Sequence, residues 1–162
     1  MTNRRDVLAL GILGGAALLA RNALAAGDCP AETTGAALLD KYVAAVNAHD
    51  TSSFPDLFTE SYIQHSGRSP SGLAAQIENF RRIMTSMPDI RMRVEDRILA
   101  GDRVVARVSY AATHTQPIAG IPPTGKAFTI RTIDIWRVEK GKFAEHWDLT
   151  DTAEVLRQLR GT

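Results

Sequence analysis

Near residue 90 the spacing of apolar residues changes from helical to strand-like, and this change does most to restrict the fold. Upstream, Leu39, Tyr42, Val43 and Val46 recur at helical spacing, as do Leu73, Ile77, Phe80, Met84 and Met87. Downstream, Ile90, Met92, Val94 and Ile98 alternate with Arg91, Arg93, Glu95 and Arg97. Helices followed by a run of antiparallel strands define the α+β class.

The local signals sharpen that order. Thr34 is positioned to cap a helix from about Gly35 to Ala48. Phe54, Leu57 and Phe58 suggest a short helix, and residues 62–65 a short extended piece. Ser69 and Pro70 read as the start of the second long helix, and Pro88 as its end. Gly101-Asp102 turns the chain into a long strand, residues 103–115. On it Val104, Ala106, Val108, Tyr110, Ala112 and His114 share a face. The prolines and glycines of residues 116–126 mark an irregular connection, and two more strands follow at 127–138 and 143–149. Asp151 with Glu154 reads as a capping box for a last helix closed by Gly161.

Composition excludes several functions. The 162 residues are 44% hydrophobic and 23% charged, a balance expected of one globular domain. A net charge of +1 carries no footprint for nucleic-acid binding. A single cysteine permits no internal disulfide and no cysteine-based zinc site.

Residues 1–25 read as a signal peptide. Arg4 and Arg5 precede an uncharged, mostly apolar run from Val7 to Ala20, and Ala23-Leu24-Ala25 supplies a small-x-small end. The run falls short of the ~20 apolar residues that cross a bilayer. The adjacent arginines resemble a twin-arginine signal, with an ordinary secretory signal as the alternative. Asp28 stands where a lipoprotein signal needs a small residue, so Cys29 is not read as an anchor. The expectation is a periplasmic or secreted protein without a stable membrane anchor. Residues 26–34 form an N-terminal extension and residues 35–162 the folded domain.

The polar residues on the last hairpin carry the chemistry, and two registers are open. A two-residue loop at Lys140-Gly141 would put Ile135 opposite His146. A three-residue loop, Glu139-Lys140-Gly141, would put Asp134 opposite His146 and Thr132 opposite Asp148. Gly141 at the third loop position favours the second. One face then carries Phe128, Ile130, Thr132, Asp134 and Trp136, with Ala144, His146 and Asp148 alongside. A carboxylate on an apolar face is costly unless paired or protonated, and desolvation makes it a better base. With an imidazole beside it, the set suits proton transfer next to a carbonyl.

Each residue has a structural alternative. Asp134 and His146 could be a satisfied pair that sets strand register, and Asp148 could serve the helix that follows. His114 could end its strand at the surface, and His65, next to Gln64, could be an outward loop residue. Asp96 breaks the apolar face of its strand, as either an edge feature or a pocket group. A site of His114, His146 and Asp148 would offer metal ligands, but no close ligand spacing such as HExxH supports it.

Several pieces, in order, resemble the SnoaL-like polyketide cyclases, or ester cyclases, of the NTF2-like superfamily. They are Pro88-Asp89-Ile90, Gly101-Asp102-Arg103-Val104, residues 119–126, Ile133-Asp134-Ile135-Trp136-Arg137, Gly141-Lys142 and Glu145-His146-Trp147-Asp148. The likeness runs from about residue 36 to 160. It implies a cone-shaped α+β barrel, a curved sheet wrapped around helices with a deep apolar pocket, commonly dimeric through the sheet. It also implies ring closure by intramolecular aldol chemistry without metal or organic cofactor. The acid–base aspartate of the family matches Asp148 and the neighbouring imidazole matches His146, whereas those cyclases usually carry histidine where this chain has Asp134.

The resulting expectation is a cofactor-independent acid–base enzyme acting on a small apolar carbonyl or ester, as a homodimer. Asp148, His146 and Asp134 are the catalytic candidates. His114, or Gln64 with His65, would hold the developing enolate oxygen, and Trp136 and Ile121 would bind substrate. The loop with Ile118, Ile121, Pro122 and Pro123 would cover the pocket. The alternative is an exported binding module that needs the pocket but not the bases.

Overall fold

A computed structural model describes residues 30–161, with side chains from residue 33 onward. The proposed signal peptide and Cys29 lie outside the described residues. The described residues form four helices and five strands in the order α1 (Pro30–Ala48), α2 (Phe54–Leu57), β1 (Phe58–Gln64), α3 (Leu73–Ser86), β2 (Arg91–Ala100), β3 (Arg103–Thr113), β4 (Ala127–Glu139), β5 (Lys142–Thr150) and α4 (Thr152–Arg160). The strands form one sheet in the order β1-β5-β4-β3-β2, antiparallel except for the β1–β5 pair. This is the expected α+β class, and its curved sheet packed on helices is the NTF2-like arrangement. No described helix is long and apolar enough to cross a membrane.

Both long helices start elsewhere than their cap signals suggest. α1 already runs from Pro30, so Thr34 lies inside it. α3 begins at Leu73, with Gly72 as N-cap, and Ser69 and Pro70 belong to the preceding loop. The reason is a tether: the Gly72 amide donates to the Tyr62 carbonyl of β1 at 2.6 Å. That bond holds Gly72 at φ +103°, a conformation that favours glycine, so helical geometry cannot begin sooner. At the other end the helix stops before Pro88, with the Met87 amide donating to Ile83. In α4, Asp151 caps the Glu154 amide, but the Glu154 side chain pairs with Arg157 instead of reaching back. Half of the expected capping box therefore forms.

The core is built largely of rings. Tyr42 of α1 meets Phe54, Phe58, Phe80, Trp136 and Phe143 at centroid separations of 5.6 to 6.1 Å, four of the five edge-on. Edge-on contact suits the ring quadrupoles, and such pairs add about 0.5–1.5 kcal/mol beyond burial. A second cluster of Met87, Ile90, Ala112, Phe128, Val155 and Leu159 joins α4 to the opposite end of the sheet.

Two bulges decide which side chains face that core. On β2 the register shifts between Val94 and Asp96, which reverses the alternation for the rest of the strand. Ile98, expected inside, is therefore 65% exposed, and Leu99 packs on the core instead. Asp96 turns to the outer face and pairs with Arg107 at 2.8 Å, which settles it as a surface group. On the last hairpin the loop is the two-residue Lys140-Gly141, with φ +50° and +77°, the type I′ geometry. The three-residue loop is not formed. A shift between Arg137 and Val138 then moves the pairing by one residue. It sets Trp136 opposite His146 and Asp134 opposite Asp148, a register that differs from both alternatives. The shared face survives, because the observed register differs from the favoured one by two residues and a side-chain period of two preserves the face.

Candidate functional site

Between the sheet and α3 lies a cavity of about 360 Å³. Its apolar wall comes mainly from Phe80 and Ile83 of α3 and Met87 just after it, with Tyr42, Tyr110 and Ile130. Its polar groups come from the loop after β1, from β4 and β5, and from α3. This is the usual composition of a small-molecule site, apolar with a few placed polar groups.

At the sheet wall the sequence candidates Asp134, His146, Asp148 and Gln64 all line the cavity. His146 Nε2 donates to Asp134 Oδ1 at 2.8 Å, and Thr132 donates its hydroxyl to Asp134 Oδ2. The parallel β1–β5 pairing places Gln64 opposite His146, and Gln64 Nε2 donates to His146 Nδ1 at 2.9 Å. Gln64 Oε1 in turn accepts from the Ser66 amide. With a carboxylate on one nitrogen and an amide donor on the other, the arrangement fits neutral His146 protonated on Nε2. The indole of Trp136 stacks on the imidazole at 4.9 Å and 6°. Asp134 is thus fully partnered, as a buried carboxylate must be.

Asp148 differs. Its side chain is 2% exposed, yet its Oδ1 accepts no hydrogen bond and its Oδ2 is engaged only by a guanidinium. His146 Nδ1 stands 3.9 Å from Oδ1, and the Arg68 guanidinium lies against Oδ2 as its charge partner. Arg68 itself is 55% exposed, so it closes the pair from the solvent side. The site therefore holds one carboxylate saturated with hydrogen bonds and one that is not.

Three phenols stand near these charges. Burial, followed by the neighbouring phenols and the Asp134 charge, pushes Tyr42 well up. Burial and then Asp134 push Tyr62 and Tyr110 up as well. All three stay neutral and cannot act as bases, and the buried Tyr62 hydroxyl has no hydrogen-bond partner. Tyr42 and Tyr110 are hydrogen-bonded to each other, which leaves one phenolic proton of the pair for a ligand.

Four candidates do not line the cavity. His114 is fully buried, but its backbone bonds Lys126 and Gly125, and its Nδ1 meets Thr124 Oγ1 at 3.0 Å. It ties down the irregular connection, and does not end its strand at the surface. His65 stacks on Trp147 at 4.3 Å and bonds Glu145 at 2.8 Å on the outer face of the sheet. Glu145 is held below the usual carboxylate range by His65 and then Arg137. Trp136 supports His146 from behind. Ile121 bridges to Ile118 and packs on the second cluster, and neither these two nor Pro122 and Pro123 border the cavity. That connection therefore does not cover the pocket in this structure.

Several lining residues escaped the sequence reading: Arg68, Gln76, Asn79 and Tyr110. Gln76 did carry a signal, since it stands on the buried stripe of α3 between Leu73 and Phe80. A polar residue on an apolar stripe is informative. Arg68 carried none, because its role depends on how the loop folds over the sheet.

The likeness seen in sequence extends to known proteins. The sequence profile of the SnoaL-like polyketide cyclases matches residues 36–159. Nogalonic acid methyl ester cyclase of Streptomyces nogalater is 28% identical over 108 residues, which cover 65% of this chain and 78% of that protein. The structure of TsrD from Streptomyces laurentii superposes with a TM-score of 0.73 at 28% identity, covering 80% of this chain and 97% of that one. A SnoaL-like polyketide cyclase from Agrobacterium tumefaciens shares the fold, with a TM-score of 0.70 at 19% identity over 77% of this chain and 97% of that one. Family match, fold and a pocket walled by the last hairpin converge, and the chain belongs to the SnoaL-like polyketide cyclase family, whose membership supports a cyclase-type role.

Proposed function

We propose that this protein is a cofactor-independent acid–base cyclase in which Asp148 removes a proton α to a carbonyl or ester. The observation that carries this reading is the Asp148 carboxylate, buried in the cavity wall with Oδ2 paired to Arg68 and Oδ1 without a hydrogen bond. Such a group is expensive to bury, and the free lone pairs of Oδ1 are what a base offers to a C–H bond. The proton moves to Asp148 and the carbanion electrons pass to the carbonyl oxygen. Gln64 and the free phenolic proton of the Tyr42–Tyr110 pair are the donors available to that enolate oxygen. The enolate carbon then attacks a second carbonyl of the same molecule, and Asp148 returns its proton to the new alkoxide. His146, anchored by Asp134, sits 3.9 Å from Asp148 and fixes the polar wall beside it.

The test is deuterium exchange at the α position of α-tetralone in D₂O, followed by proton NMR. The wild-type protein is expected to accelerate exchange, and Asp148→Asn to lose roughly 10²–10⁴ of that acceleration with unchanged circular dichroism. No acceleration, or equal acceleration by the variant, removes Asp148 from the role.

The same proposal includes export and pairing of two copies. Ile133 and Leu149, cross-strand neighbours on the outer face, are 47% and 75% exposed. Exposed apolar neighbours of this kind support association through the sheet. Sedimentation of the chain without residues 1–25 is expected to give a dimer.

A further inference from the structure

Gln76 is 3% exposed and lies in the cavity wall, and its Oε1 has no hydrogen-bond partner. Its neighbours do not relieve it, since Phe80, Ile83 and Met87 are apolar and Asn79 accepts from Arg82 instead. The backbone amide of Gln76 is already engaged with Gly72. A buried carboxamide without a partner is a standing cost to the fold, so such groups call for an explanation. The cavity supplies one, because a ligand polar group can complete the pair there.

We propose that Gln76 is a specificity-determining residue that receives a hydroxyl group of the substrate. The proposal rests on the reading of this cavity as the substrate site. A carboxamide both donates and accepts, and a hydroxyl matches both properties, whereas a bare hydrocarbon matches neither. The sheet wall carries Asp148 and the helix wall carries Gln76, so the substrate is held at two points. One is an acidic C–H beside a carbonyl, and the other is a hydroxyl elsewhere on an apolar framework. The substrate class is thereby narrowed from apolar carbonyl compounds to hydroxylated ones. Discrimination follows from the asymmetry of polar burial: an analogue without the hydroxyl leaves Gln76 unpaired after water is excluded.

The test titrates the wild-type protein with α-tetralone and with its ring-hydroxylated derivatives, reading Kd by calorimetry. At least one hydroxylated derivative is expected to bind about two- to tenfold tighter than the parent. In Gln76→Met, which keeps the length and removes the polar atoms, that advantage is expected to vanish, because neither parent nor derivative then meets an unpaired carboxamide. Thermal unfolding gives a second reading. A residue kept for the ligand leaves the variant as stable as wild type or more so, whereas a residue kept for the fold lowers its midpoint. Equal affinity for parent and derivatives in wild type, an advantage that persists in the variant, or a lowered midpoint with unchanged preference overturns the proposal. Binding is read without turnover, so its failure is separate from a failure of α-proton exchange.

Discussion

Asp134 and Asp148 stand directly opposite one another on the closing hairpin, yet Asp134 is hydrogen-bonded to His146 Nε2 at 2.8 Å and to the Thr132 hydroxyl while Asp148 has only the Arg68 ion pair. Two like side chains on one face of one sheet thereby receive different environments. The difference comes from neighbours that the strands bring in. Asp134 lies among hydrogen-bond donors, whereas Asp148 faces the cavity with Arg68 as its charge partner.

The Asp134–His146 bond is expected to set the imidazole tautomer. Two-bond proton–nitrogen NMR should find the proton of His146 on Nε2. Asp134→Asn puts an amide donor against that nitrogen, so the proton is expected to move to Nδ1. The variant should also lose roughly 1–3 kcal/mol in urea unfolding, the usual cost of breaking a buried hydrogen-bonded pair. An unchanged tautomer would show that Asp134 does not orient the ring.

Arg68 is expected to matter to stability only while Asp148 is charged. Arg68→Met strands a buried carboxylate. Removing a partner from a fully buried pair costs about 3–5 kcal/mol. With Arg68 half in solvent, the expected loss is nearer ~1–2 kcal/mol. In an Asp148→Asn background the same substitution should be close to neutral, and a double-mutant cycle by urea unfolding measures the difference. Additive losses would dissociate the two residues.

Gly35 of α1 sits so close to the sheet that an added Cβ would meet Val104 Cγ2 at 2.7 Å. Gly35→Ala gains about 1 kcal/mol in helix propensity. Against that, overpacking typically costs about 1–3 kcal/mol. Val104 is buried and β-branched, so it cannot rotate away cheaply. The clash is expected to win, with a melting temperature lower by a few degrees. A higher one would mean that α1 can shift outward freely.

Acid sensitivity is expected to involve the outer face. Glu145 is held below the usual carboxylate range by His65 and Arg137, so it binds protons less readily folded than unfolded. Its contribution is present above the unfolded pKa and is lost as pH falls through the lower folded value. Between about pH 5 and pH 2 the melting temperature of Glu145→Gln should fall less steeply than that of wild type. Parallel curves would show that this ion pair adds nothing to acid stability.

The alternation of side chains along β4 and β5 was legible in the sequence, and with it the common face of Asp134, His146 and Asp148. So were the change from helical to strand spacing, the α+β class and the family. These are local properties, since a period of two or of 3.6 is written into consecutive residues. The pairing register was not legible, because a shift between Arg137 and Val138 costs little locally and is decided by how Phe143 and Ala144 both reach the interior. The same holds for Ile98, which a bulge on β2 turned outward.

Tertiary structure alone decided which polar residues share the cavity. It took His65 to the outer face and buried His114 beneath its own connection. It brought Arg68, from a loop, against Asp148, and Gln76, from a helix, into the wall of the same cavity. Spacing along a chain determines which way a side chain points from its own element. What it meets there depends on segments far away in sequence, which only the packed fold brings near.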